Sequence, residues 1–192
     1  MTVAILLAAG ASSRTSSPKG LLDIGGKSLV QYQIDALLEG EIEHVYVVVG
    51  YHRDKIVAAI SPSKRLSVVE NPDPQRGMFS SIAEGIGAIR EEDARVLLHP
   101  LDVPLPQPQT LRKLIGTGGK IVVPRTRGKN AHPVILEAAL ARSLPNAPQE
   151  RLDVWLRDHE KWICAVDVDD ARLLQNGNTD AELSQIFFQE TP

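Results

Sequence analysis

The sequence predicts an α/β domain on a mostly parallel sheet with helices on both faces, and three observations carry that expectation. Short apolar runs alternate along the chain with stretches whose apolar residues recur at helical spacing. Those runs are near-continuous in β-branched and aliphatic residues rather than alternating with polar ones, as strands buried on both faces are. At 192 residues, 43% of them hydrophobic, the chain suffices for one well-cored domain and is short for two. Residues 1–192 are therefore read as a single domain.

The elements follow in order. Residues 3–8 read as a fully buried first strand. Ser28 can cap a helix in which Val30, Ile34, Leu37 and Leu38 form one face. Residues 45–50 form a second buried strand, 54–60 a short helix stopped before Pro62, and 66–69 a third strand. Residues 80–90 read as a helix with Ile82, Ile86 and Ile89 on one face. Within it Gly85 and Gly87 each cost about 1 kcal/mol relative to alanine, which close packing or ligand approach would explain. A fourth strand spans 95–98, and the proline-rich 100–108 is a stiff loop after it. Then come a helix at 108–115, strands at 120–123 and 133–136, helices at 137–144 and 149–158, a strand at 162–168 and a closing helix at 181–188. The segments 61–64 and 145–148 are surface turns.

Composition narrows the function classes. A net charge of -3 and a pI near 6.0 give no support for a broad nucleic-acid or membrane surface, so any phosphate site must be local. No run approaches the roughly 20 apolar residues of a membrane span. The N-terminal apolar run is short and lacks a basic leader, so a secretory signal is not expected. The single Cys164, within an apolar stretch, fits a buried structural thiol and a reducing compartment. A cytoplasmic enzyme is the expectation.

The first strand runs into Ala8-Ala9-Gly10 and then a polar loop carrying Ser12, Ser13, Arg14, Thr15, Ser16, Ser17 and Lys19. Small residues let backbone N–H groups approach a ligand, and hydroxyls and cations add donors, so the loop suits an anion with several oxygens. The end of a buried strand is where open α/β sheets bind ligands. A phosphate-containing nucleotide is the first reading. The spacing from Gly10 to Lys19 excludes a P-loop, and Ser12 and Ser13 stand where a dinucleotide fingerprint needs glycines.

Leu7 to Lys19 resembles the signature L-A-[AG]-G-x-S-x-R-M-G-x-x-K of the MobA-like nucleotidyltransferases. The resemblance implies transfer of a nucleoside monophosphate from an NTP to a phosphorylated acceptor, with Mg²⁺. It also implies a three-layer α/β/α sandwich with a mixed, mostly parallel sheet of the nucleotide-diphospho-sugar transferase type. Thr15-Ser16 replace the Met-Gly of the signature, and a serine resists the positive φ that glycine allows. In the resemblance Leu7, Ala8, Ala9, Gly10 and Ser12 bind nucleotide. Lys19 acts as a point charge on the phosphates, and Arg14 as a planar fork on the leaving pyrophosphate.

Four further segments extend the likeness. Asn71 to Gly85 is similar to N-P-x-x-x-x-G-M-x-x-S-[IL]-x-x-G, which places Asn71, Gly77, Met78 and Ser81 at the base and ribose pocket. Asp102 follows a buried strand, where a carboxylate can hold Mg²⁺ together with phosphate oxygens. The family's [GA]-D-x-P aspartate binds the metal at this place. Ala131-His132-Pro133 matches a G-H-P segment near the acceptor pocket, with the glycine missing, and assigns His132 to the acceptor. Asn176-Gly177-Asn178-Thr179 matches an N-x-N-T form where other branches carry a second metal carboxylate; Asn178 or Thr179 can equally cap the closing helix.

The implied reaction is in-line attack of an acceptor phosphate on the α-phosphorus of the NTP, which needs positioning and charge neutralisation rather than a side-chain nucleophile. Arg14, Lys19 and Asp102 are its expected catalytic residues. Leu7-Ala8-Ala9-Gly10 resembles CTP users, closest to the molybdenum cofactor cytidylyltransferase branch. The implied acceptor is a molybdopterin-type cofactor, with a molybdoenzyme as a possible partner. Asn176–Thr179 leans towards the guanylyltransferases, and a sugar phosphate acceptor stays open. So does a nucleotide-binding accessory protein in molybdoenzyme maturation that does not transfer efficiently.

Overall fold

In the computed structural model, which describes residues 1–148 and 151–188, the first apolar run becomes β1 (Thr2–Ala8), buried along its whole length. A small hairpin follows, β2 (Asp23–Ile24) and β3 (Lys27–Ser28), turning on Gly25 and Gly26 at φ of 62° and 89°. It is too short to leave a periodic signal in the sequence. Ser28 then caps α1 (Leu29–Glu39), its side chain accepting a hydrogen bond from the Gln31 amide as expected. β4 (His44–Val49), α2 (Arg53–Ala58), β5 (Leu66–Glu70) and α3 (Met78–Ala88) continue the alternation.

β6 (Arg95–Pro100) runs two residues beyond the expected strand, and α4 (Pro108–Gly116) follows the proline-rich loop. β7 (Ile121–Thr126), the short β8 (Lys129–Asn130) and β9 (Val134–Leu136) lead into α5 (Ala138–Ser143). The chain closes with α6 (Leu152–Asp158), β10 (Ile163–Asp167) and α7 (Asp180–Phe188). The first two residues of the helix expected at 149–158 lie outside the described residues.

One eight-stranded sheet runs β10-β7-β9-β6-β1-β4-β5, with β8 paired to β7. β9 is antiparallel to both its neighbours, while β1 is parallel to β4 on one side and to β6 on the other. One face of the sheet carries α1, α2, α4 and α7 through Ile34, Leu37, Ile56, Leu111 and Phe187. The other carries α3, α5 and α6 through Ile82, Ile86, Ala141 and Trp155. This is the three-layer α/β/α sandwich with a mixed, mostly parallel sheet. After β1 the chain builds outward through β4 and β5, then returns to β6 on the opposite side. The C-terminal ends of β1 and β6 therefore flank the point where strand order reverses, and a crevice opens there.

Gly85 explains itself by packing. A Cβ there would sit 2.8 Å and 2.9 Å from methyl groups of Ile5 and 3.1 Å from Val48, so α3 lies directly on β1 and β4. Gly87, by contrast, has open space at its Cβ position, and nothing in the structure explains it.

Two polar side chains sit in the core next to the crevice. Gln33 and His99 have no solvent exposure. Gln33 Nε2 lies 2.8 Å from the Val103 carbonyl and 3.3 Å from that of Leu101, and His99 Nε2 lies 2.9 Å from the Val103 carbonyl. A carbonyl only accepts, so Nε2 of His99 carries the hydrogen. Burial, with a smaller push from His132, lowers the His99 pKa to about 3, against the pull of its bond to Val103.

The two glycines generate opposite expectations. Gly85→Ala should lose about 1–3 kcal/mol to overpacking against Ile5, more than the roughly 1 kcal/mol of helix propensity returns; Gly87→Ala should gain up to about 1 kcal/mol. Urea denaturation of both variants checks the pair.

His99 makes stability pH-dependent. Unfolded, it titrates near its ordinary value of 6.5; folded, near 3. Between those values the unfolded chain binds the extra proton. Its contribution is complete above about pH 6.5 and is lost as pH falls, at up to about 1.4 kcal/mol per pH unit. His132, whose pKa burial also lowers, adds in the same sense. His99→Gln keeps a donor for Val103 without the titration, so its stability should fall less steeply than wild type between pH 6.5 and 4.5. Equal slopes in denaturant titrations would refute this.

Candidate active site

The loop leaving β1 is held in shape by its own hydroxyls. Ser12 adopts a φ of 53°, and its Oγ accepts a hydrogen bond from the Lys19 amide at 3.0 Å. The Thr15 hydroxyl lies 2.9 Å from the Ser12 carbonyl and 2.7 Å from that of Ser17, and the Thr15 amide also donates to Ser12 O. The strained position thus falls at Ser12, not at Ser16, which stands in the signature's glycine place. The Thr15 hydroxyl supplies contacts within this turn that a methionine at that place has no donor to make.

The C-terminal segment ties this loop down. Arg14 Nη2 donates to Asn178 Oδ1 at 2.6 Å, and the Ser16 amide donates to Asp180 Oδ2 at 2.9 Å. Hydrogen bonds from Ser16 hold the Asp180 carboxyl below its ordinary pKa. α7 itself begins in a reciprocal cap. Thr179 Oγ1 accepts from the Glu182 amide, while Glu182 Oε2 accepts from the amides of Asn178 and Thr179. Thr179 is the capping residue, and Asn178 is left to face Arg14.

Lys19 and Asp102 meet across the crevice, with Nζ 2.6 Å from Oδ2 and side chains 16% and 24% exposed. Asp102 sits on the turn after β6, whose Leu101 amide donates to the Leu7 carbonyl and whose Asp102 carbonyl accepts from Gly177. A cavity of about 270 Å³ opens here. Leu7, Ala8, Gly10, Ser12, Arg14, Lys19 and Asp102 all line it, together with His52 and Asn178. His52 escaped the sequence reading. Its Nε2 donates to the Ala11 carbonyl at 2.9 Å, pinning the loop to the start of α2. Its only sequence signal is its place just past a strand that ends in Gly50.

The remaining expected residues lie elsewhere. Ala9 is buried against Gly50, where an added Cβ would come within 3.0 Å of it. Asn71 donates from Nδ2 to the hydroxyls of Ser80 and Ser81, both at 2.9 Å, and accepts from the Asp73 amide. It therefore fixes the β5–α3 connection from within. Gly77 starts α3 at a φ of 88°, where a side chain would be strained.

Met78 and His132 line a second cavity of about 410 Å³, with Val123, Leu152, Leu156, Arg157 and Ile163 among its walls. Burial lowers the His132 pKa more than the Asp102 charge and a backbone hydrogen bond involving Leu98 raise it. Cys164 lines neither cavity.

The metal question turns on Asp102. Among the described residues no cluster of three or more His, Cys, Asp or Glu side chains could cage an ion. One carboxylate at the cavity mouth does fit Mg²⁺, which takes one or two carboxylates and completes its shell with phosphate oxygens and water. The residues thus suit an ion that arrives with a triphosphate.

Residues 4–162 match the MobA-like NTP transferase domain. The chain is 39% identical over 117 residues to the bifunctional protein GlmU of Corynebacterium aurimucosum, covering 58% of this chain and 24% of that protein. It thus spans about a quarter of the length of that curated relative. Its fold superposes on a nucleotidyl transferase from Methanothermobacter thermautotroptrophicus with a TM-score of 0.85 at 20% identity, covering 98% of this chain and 97% of the other. It also superposes on CMP:2-keto-3-deoxy-manno-octonic acid synthetase complexed with CTP, with a TM-score of 0.74 at 15% identity and 96% of each chain covered. With the match extending from the middle of β1 to the start of β10, and with the signature loop at the reversal point of the sheet, the chain belongs to the MobA-like NTP transferase domain family.

Proposed function

We propose that this protein moves a nucleoside monophosphate, CMP from CTP, to a phosphorylated small-molecule acceptor of the molybdopterin type, releasing pyrophosphate. The observation that carries the reading is the convergence of Arg14, Lys19 and Asp102 on one cavity at the reversal point of the sheet. An acceptor phosphate oxygen attacks the α-phosphorus, and the bond to the bridging oxygen of pyrophosphate breaks. Lys19 and Arg14 neutralise the charge that grows on the leaving group. Mg²⁺, held by Asp102 and the phosphates, supplies further Lewis-acid neutralisation when bound. The acceptor phosphate is already anionic, so His132 shapes the acceptor side rather than removing a proton. The acceptor enters from the second cavity, which His132 borders.

The choice of CTP rests on the Leu7-Ala8-Ala9-Gly10 form and is supported by the fold neighbour complexed with CTP. Asn178, paired with Arg14 where a carboxylate would bring a second metal ligand, favours a second reading in the guanylyltransferase branch. A molybdoenzyme would be the partner that receives the product. We place the protein in the cytoplasm, as its sequence leads one to expect; among the described residues no helix is long and apolar enough to cross a membrane.

Two variants test the chemistry. Lys19→Ala should lower the rate of pyrophosphate release roughly 10²–10³-fold in a folded protein, the loss expected for one preorganised donor. Asp102→Asn should weaken the response to Mg²⁺ far more than it lowers the metal-free melting temperature. Near-normal turnover in the first, or a large stability loss with unchanged metal response in the second, contradicts the assignment.

Base choice is read by binding linkage. With Mg²⁺ present, CTP should raise the melting temperature more than GTP at equal concentration, because groups paired to cytosine are left unsatisfied by a purine. The reverse order supports the guanylyl branch, and equal shifts from all four NTPs mean that the site reads only phosphates.

A further inference from the structure

We propose that Gln33 is a positioning residue for Asp102: from within the core it clamps the turn that presents this carboxylate to the cavity. The inference rests on the reading of Asp102 given under Proposed function. Gln33 lies on the face of α1 that also carries Val30, Ile34 and Leu37, all buried, where packing asks only for an apolar side chain. Instead it directs an amide across the interior to the carbonyls on either side of Asp102, at 3.3 Å to Leu101 and 2.8 Å to Val103. Both partners can only accept, so the NH₂ end must face them.

The other groups of the turn are held as well. The Asp102 carbonyl accepts from Gly177, and the Leu101 amide donates to Leu7. With Gln33 in place, all three consecutive carbonyls of residues 101–103 are fixed, and the carboxylate keeps only its side-chain torsions. That is the precision a site needs to hold a carboxylate against Lys19 and a triphosphate.

The arrangement is not what stability alone would select. Gln33 Oε1 and His99 Nδ1 are buried with no hydrogen-bond partner among the described residues. A buried polar atom left unpaired is unfavourable, whereas an apolar group of the same shape avoids that penalty. The Val103 carbonyl already has His99 as a donor, so the second bond from Gln33 adds constraint beyond simple satisfaction. Local chemistry that works against the fold is expected at functional positions.

The test replaces Gln33 by Met, of similar length, and by Leu. Hydrogen exchange on the metal-free protein should show the amides of Leu101, Val103 and Gly177 exchanging about tenfold faster, the factor corresponding to one ordinary hydrogen bond. The rest of the sheet should exchange as before, and the melting temperature should match or exceed wild type. Titrating Mn²⁺ in the presence of CTP, the concentration giving half of the melting shift should rise about tenfold, following the same lost constraint. Unchanged exchange at the three amides, uniform acceleration across the sheet, or failure of both variants to fold overturns the proposal. If wild type itself shows no Mn²⁺-dependent shift with CTP, the reading of the site falls, while the exchange data still decide the clamp.

Discussion

Because β1 is hydrogen-bonded in parallel to β4 on one side and to β6 on the other, neither its faces nor its edges reach water, and its seven residues are all buried. A strand so placed must be apolar throughout and must release its polar backbone at its end. That end coincides with the end of β6, since Leu7 pairs with Pro100. The chain leaving β1 and the chain leaving β6 therefore emerge side by side, and Lys19 and Asp102 are the charged groups these two exits bring into contact. The cavity, its cations and its carboxylate all follow from that one pairing.

The strands of the centre were legible because burial on both faces writes itself as uninterrupted aliphatic sequence, as in residues 45–50. α1 was legible for a different reason: Ser28 and the apolar spacing behind it state both its start and its inner face. What escaped was structure made by few residues or by distant ones. The β2–β3 hairpin and β8 are two-residue strands with no period to detect. The antiparallel direction of β9 is a property of its neighbours, which a local pattern cannot carry.

The site divides along the same line. Gly10, Ser12, Arg14 and Lys19 stand out in the sequence as a loop of small residues and cations after one buried strand, and Asp102 as a carboxylate after another; the structure brings all five to one cavity. Asn71 and Ser81 are expected from the family likeness at the base and ribose pocket, but in the protein Asn71 donates to the Ser81 hydroxyl and neither lines either of the two cavities. Gln33 and His52 were not readable. One looks like a polar intruder in a helix, the other like a surface histidine, and only the fold reveals the carbonyls they meet.

The tether between the phosphate loop and α7 spans 164 residues, through Arg14 with Asn178 and Ser16 with Asp180. During synthesis the loop leaves the ribosome 164 residues ahead of the groups that hold it. A contact of such sequence separation forms late, since loop closure must be completed before it contributes. A nascent chain can therefore pair β1 with β4 and β5 long before its nucleotide loop is anchored. The loop after β1 takes its final shape only once the segment leading into α7 has docked.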